Sequence, residues 1–236
     1  MYATFVILGG ISCIAFFFYL IPFYTREQVY NCVWEGKPPD NPEEVCVASN
    51  ICKGENSITS WSINWKDKNS IHNWQDKLNL MCEPKWKIAL IGSMFFVGWC
   101  CSLLWVPRLA DVYGRKRLFI LGMLWDLVTF TVIMFTNSLN VMIAAYAALG
   151  FNSSIRINIG WVYLMELMPK KGQALTGTIW FVFEASVVLW ATLYFSQSQS
   201  RNWIYCSLVG YCLQIIAFFG SFILPESPKF LIEQNR

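Results

Sequence analysis

Residues 98–117 read GWCCSLLWVPRLADVYGRKR, an uncharged apolar run that ends in Arg108, Asp111, Gly114, Arg115, Lys116 and Arg117. Basic residues crowded between two apolar runs mark the untranslocated side of a membrane, because Lys and Arg near a helix end resist passage. A second apolar run begins at Leu118, so the basic turn reads as a short link between two membrane spans. Composition agrees: of 236 residues 56% are hydrophobic and 14% charged, too apolar and too charge-poor for an ordinary soluble domain. The formal net charge of +3 does not argue for nucleic acid as a partner. Most of the basic residues stand at the ends of apolar runs or in a mixed-charge loop, which is a topology signal.

Outward from that turn, residues 2–25 carry no charge before Arg26, and about 20 apolar residues suffice to cross the hydrocarbon core. With no basic leader and no small-residue cleavage site, this reads as a retained first span rather than a signal peptide. Five more spans are predicted over 88–107, 118–136, 141–165, 174–194 and 203–224. The plan is therefore a first span over 1–25, a polar loop over 26–87, and spans two to six over 88–236. The fold class is an all-α membrane protein with six transmembrane helices.

The loop holds eight Lys/Arg and nine Asp/Glu, together with Trp34, Trp61, Trp65, Trp74 and Trp86. So many aromatics argue for a small folded lid rather than disorder, although no helical or strand period persists in it. Cys32, Cys46, Cys52 and Cys82 fall in this loop; an even set on an out-facing side suits a pair of disulfides, with three pairings open. No C-x-x-C pair supports zinc, and neither a metal nor a cofactor is expected. The N-x-[ST] triplet Asn152-Ser153-Ser154 lies inside a span, out of reach of glycosylation.

Orientation follows from the short links. Arg108, Arg115, Lys116, Arg117, Lys170, Lys171, Lys229 and Arg236 lie on one face and Arg201 on the other, which predicts both termini on the cytoplasmic or matrix-equivalent side. Either a plasma membrane or an organelle membrane fits.

The run LADVYGRKR resembles the loop between helices 2 and 3 of the major facilitator superfamily. With WQDKLNLMCEPKWKIALIGSMFFVG (residues 74–98) and PESPKFLIEQNR (residues 225–236), the chain is most similar to the organic cation/anion transporter branch of that superfamily, from about Trp74 to Arg236. The resemblance implies an N-terminal six-helix half built of two inverted three-helix repeats, with a large out-facing loop after helix 1. It also implies a second half, which these 236 residues do not supply. Asp111, Gly114, Arg115, Lys116, Glu166, Glu226 and Lys229 match positions that, in the family, knit helix ends together and hold one state of the cycle closed. Several positions depart from the pattern: Pro107 stands for a Gly, Val112 for a basic residue, Gln173 and Lys229 for Arg, and Phe230 for Trp. Lys does not reproduce a bidentate Arg fork, so the gating network is diluted.

Three ionisable residues lie within spans: Asp126, Arg156 and Glu184. Each is nine or ten residues from the basic end, roughly 14–15 Å deep at about 1.5 Å per residue, hence near the midplane. Charges at that depth are costly unless paired, so Arg156 is expected to contact Glu184 or Asp126. Arg156, Glu184, Asn152, Asn158 and Asp126 are the candidates for a substrate or ion pathway; the plainer alternative is a buried ion pair that only neutralises itself. Taken alone, the half is expected to present Arg156, Glu184, Asn152 and Asn158 on an uncovered wall. An enzyme is not indicated: His72 is alone and expected in solvent, and neither G-x-S-x-G nor a Gly-rich phosphate loop is present. Two functions remain: a transporter of small organic ions working with a partner half, or a transporter-derived structural subunit of a larger membrane complex.

Overall fold

The computed structural model describes residues 2–35, 44–52, 58–197 and 201–234. Arg236 and the loop stretches 36–43 and 53–57 lie outside the described residues.

The first apolar run, Tyr2–Tyr24, is broken into α1 (Tyr2–Ser12), α2 (Ala15–Phe18) and α3 (Ile21–Tyr24). Pro22 sits in the first turn of α3, where its missing N–H costs nothing. Breaks in a span free carbonyls that lipid does not solvate, and side chains from neighbouring helices take them. The Tyr24 hydroxyl donates to Phe16 O at 2.8 Å, the Tyr146 hydroxyl to Phe17 O at 2.8 Å, and Arg156 Nη1 to Gly10 O.

The loop is a folded lid, and its core is a sheet that the sequence pattern did not disclose. Strands β1 (Tyr30–Trp34), β2 (Glu44–Cys46) and β3 (Ile58–Ile63) form an antiparallel sheet in the order β2-β1-β3. Helix α4 (Ala48–Cys52), helix α5 (Trp74–Lys77) and a 3₁₀ turn (Leu80–Cys82) complete it. The strands are too short to display a period against the surrounding polar residues. Disulfides join Cys32 to Cys46 and Cys52 to Cys82, one of the three pairings left open. Trp74 plugs the lid into the bundle, fully buried against Tyr24, Tyr146 and Trp203. His72 is solvent-exposed, as expected, and its half-exposed ring also stacks on Trp65 at 4.0 Å while its main chain pairs with Arg201 and Trp203.

The second run forms α6 (Lys85–Leu103) and α7 (Val106–Tyr113). The expected end at Pro107 is corrected: the break comes at 104–105, and Pro107 is accommodated in the first turn of α7. Gly114, with φ +90°, turns the chain into α8 (Arg115–Phe135), a conformation that only glycine adopts cheaply. Then come α9 (Leu139–Ser154), a π turn (Ile155–Ile159) and α10 (Gly160–Leu167), one continuous helical path over 139–167. Helices α11 (Lys170–Gln197), α12 (Trp203–Ser221) and α13 (Pro228–Gln234) follow. Among the described residues Tyr2–Tyr24, α6, α8, α11 and α12 are each long and apolar enough to cross a membrane.

Helices α6 and α9 touch backbone to backbone. A Cβ on Gly98 would stand 2.0 Å from Ala147 O, and one on Gly150 would stand 1.9 Å from Phe95 O. Small residues permit such close approach in lipid, where packing replaces the hydrophobic effect as the force between helices. Among the described residues the two main apolar cores of the bundle lie on the lid side around Phe17, Phe130 and Tyr146 and on the motif side around Ile7, Phe119 and Tyr163. Between them lies a polar layer.

Candidate functional site

The polar layer is built by four helical paths. Arg156 sits on the π turn and is fully buried. Its Nε lies 2.7 Å from Asp126 Oδ2 of α8, and its Nη1 donates to Gln214 Oε1 of α12 at 3.0 Å as well as to Gly10 O of α1. Asn152 Nδ2 donates to Asp126 Oδ1 and, at 2.8 Å, to Gly122 O. The π turn adds one residue to the helical register, which swings Arg156 toward α8 and α12. A guanidinium at this depth is tolerable because each of these contacts replaces water.

The expected pairing of Arg156 with an acid at its own depth is met by Asp126, and Glu184 stands apart. The expectation of an uncovered wall is corrected for two of its four residues: Arg156 is 0% exposed and Asn152 is 1% exposed, with Asp126 equally buried beside them. The bundle itself seals them, since α1, α8 and α12 close over the π turn.

Glu184, on α11, is half-buried and accepts a hydrogen bond from Trp180 Nε1 at 3.2 Å. It opens into a cleft of about 310 Å³ walled by Phe18, Tyr19, Phe95, Phe96, Trp99 and Trp180. Sequence reading located Glu184 but missed these aromatic walls. The i,i+4 spacing of Trp180 and Glu184 was the signal that could have revealed the first of them. Asn158 lies elsewhere: its Nδ2 donates to Ser154 Oγ at 2.9 Å, beside a cavity of about 190 Å³ that reaches Asp111 and Arg115.

At the end opposite the lid, the motif residues meet. Arg115, buried, pairs through Nε with Glu166 at 2.9 Å and through Nη2 with Asp111 at 3.5 Å. Glu226 accepts from the Lys116 backbone N–H at 3.1 Å, Lys116 Nζ donates to Phe222 O at 3.0 Å, and the Ser227 hydroxyl donates to Glu166. Phe230 packs over Gly114. Gln173, standing for an Arg, caps Met165 O through Nε2 at 2.9 Å. Lys229 and Asp111 face outward. Among the described residues no group of three His, Cys, Asp or Glu is arranged to hold a metal ion.

Comparison with known proteins adds an independent observation. Residues 4–236 match the family described as "Sugar (and other) transporter". Over 166 residues the chain is 26% identical to a Xenopus tropicalis protein named "Solute carrier family 22 member 15-like", covering 70% of this chain and 34% of that one. It is 25% identical over 162 residues to the human "Organic cation/carnitine transporter 2", covering 67% and 28% of the two chains. It is 28% identical over 166 residues to the human "Proton myo-inositol cotransporter", covering 68% and 25%. The chain thus spans about a third or less of the length of these relatives.

Proposed function

Because the chain belongs to the sugar (and other) transporter family of the major facilitator type, we propose that it forms the N-terminal six-helix half of a transporter for small organic cations. In this reading the path over 139–167 is the fourth of six spans, arranged as two inverted three-helix repeats. Both termini lie on the cytoplasmic or matrix-equivalent side, and the disulfide-bonded lid faces outward.

One observation carries the choice of substrate charge. The Arg156 charge is already neutralised by Asp126 inside the sealed layer. Glu184 is the midplane carboxylate that, among the described residues, has no ion-pair partner, and it opens into an aromatic cleft. A negative carboxylate walled by π faces attracts an ammonium group and repels an anion. Asp126, Arg156 and Asn152 then act as the frame that holds the π turn beside the cleft, and Asn158 lines the separate cavity toward the motif. Asp111, Gly114, Arg115, Lys116, Glu166, Glu226 and Lys229 close the motif end.

Two walls are needed for alternating access, and this half provides one. Saturable uptake of tetramethylammonium is therefore expected only when a partner half is co-reconstituted in liposomes, while binding is expected from the 236 residues alone. Equilibrium dialysis against the chain in lipid nanodiscs tests the site: Glu184→Gln is expected to abolish tetramethylammonium binding, and unchanged binding by that variant overturns the proposal. The second reading, a structural subunit of a larger membrane assembly, draws support from the sealing of Arg156. A chain that binds no cation and yields the same result with Glu184→Gln would favour it.

A further inference from the structure

The two disulfides of the lid stand in opposite environments. Cys32 is 0% and Cys46 7% exposed, packed into the lid core with Tyr30, Trp34 and Ile63. Cys52 and Cys82 are both exposed, and both line an open cleft of about 300 Å³ where α4 and the 3₁₀ turn meet the start of α6. Thiol–disulfide exchange requires a thiolate to reach one sulfur from the side opposite the other. A bridge enclosed by packed side chains gives it no path, whereas a bridge on a cleft does.

The surroundings also tell the two sulfurs of the open bridge apart. Cys52 Sγ lies 3.5 Å from Met81 O, a partial negative charge that opposes a second one beside it. Cys82 stands three residues ahead of Lys85, the first residue of the 19-residue helix α6, whose N-terminal end carries the positive pole of the helix dipole. Negative charge is therefore better placed on Cys82 than on Cys52. Leu80 and Ile88 with the polar Ser49 and Gln75 form other parts of the cleft wall, so a short carbon chain with a polar end has both kinds of surface to rest on.

We infer that Cys52–Cys82 is a thiol-exchange site, at which a low-molecular-weight aliphatic thiol becomes attached to Cys52 while Cys32–Cys46 stays closed. The thiolate of the incoming thiol attacks Cys52 Sγ. The Cys52–Cys82 bond breaks as the new S–S bond forms, the electron pair leaves on Cys82 Sγ, and Cys82 takes up the proton that the incoming thiol released. Return attack by Cys82 on Cys52 expels the small thiol and restores the bridge. Exposed disulfides are the labile and regulatory class, and this one closes a sequence separation of 30 residues. Opening it frees α4 from the turn that enters α6, whereas β1 and β2 stay joined through Cys32–Cys46 and Trp74 stays buried in the bundle.

The test uses the whole chain in lipid nanodiscs. N-ethylmaleimide first blocks the exposed free thiols of Cys100, Cys101 and Cys212; graded 2-mercaptoethanol follows, then an iodoacetamide quench and peptide mass mapping. The expected result is mercaptoethanol on Cys52 and the acetamide label on Cys82, appearing roughly tenfold or more faster than any label on Cys32 or Cys46. Hydrogen exchange is expected to quicken over Ala48–Cys52 and to stay unchanged over Tyr30–Trp34. Two bridges that open at the same rate, or Cys32–Cys46 opening first, overturn the inference, and so does an adduct that settles on Cys82. Ser49→Trp, which fills the cleft, is expected to slow exchange with glutathione more than with the smaller mercaptoethanol, and equal rates in that variant and the wild type overturn the role given to the cleft.

Discussion

At the residue scale, the Arg156–Asp126 pair makes a sharp energetic prediction. Both side chains are fully buried and hydrogen-bonded to others. Removing one leaves the other as a bare charge in a low-dielectric layer, which costs about 3–5 kcal/mol, whereas replacing both with apolar groups of similar volume is often close to neutral. Asp126→Leu and Arg156→Met are each expected to lower the thermal midpoint in nanodiscs strongly, and the double variant to recover most of the loss. Losses that simply add in the double variant would show that the two charges are not coupled. Arg156→Lys is expected to behave like a broken pair, because one ammonium does not span Asp126, Gln214 and Gly10 O as the planar fork does. The need of Arg156 for an acidic partner was legible in its place inside an apolar run; its choice of Asp126 over Glu184 was not. Depth follows from counting residues along a helix, whereas the partner depends on which way the helix is turned, and the π turn resets that by about 100°.

Elements pack through specific points of contact, and α6 separates two glycines that look alike in sequence. Gly98 faces the α9 backbone at 2.0 Å from a would-be Cβ, and Gly92 faces open space. Gly98→Ala is expected to force α6 and α9 apart and to cost about 1–3 kcal/mol or more, as overpacking does. Gly92→Ala has no neighbour to displace and is expected to stabilise by roughly 0.5–1 kcal/mol through helix propensity. Thermal unfolding of the two variants side by side checks this, and equal effects would contradict the close crossing. The same contrast explains the lid. Its even cysteine count was visible in the sequence, but the pairing came from β1 lying beside β2, with Cys32 opposite Glu44 and Tyr30 opposite Cys46. The register that brings Cys32 and Cys46 together is a property of the sheet.

Across the whole molecule, lid and bundle are joined by Lys77, whose ammonium donates to Met134 O at 2.7 Å and Ile133 O at 3.4 Å and stands 4.8 Å from the Trp203 ring centroid. Burial pulls the Lys77 pKa down from its ordinary 10.5. Between the lowered value and the ordinary one the undocked lid holds more protons, so docking strengthens as pH rises through that window, weakens as pH falls back through it, and is independent of this group below it. Lid unfolding followed by Trp fluorescence is expected to move to higher temperature as pH is raised toward about 10, and Lys77→Met to flatten that trend. By itself the sequence determined that this chain crosses a membrane, roughly where its apolar runs lie, which end carries the basic motif, and that Asp126, Arg156 and Glu184 stand inside those runs. Those properties follow from apolar run length and a fixed rise per residue. Only the tertiary structure decided that the first span breaks, that Arg156 is sealed rather than displayed on a wall, and that Glu184 faces aromatic rings. These depend on helix rotation and on which backbones approach closely, and both are set by contacts between residues far apart in the chain.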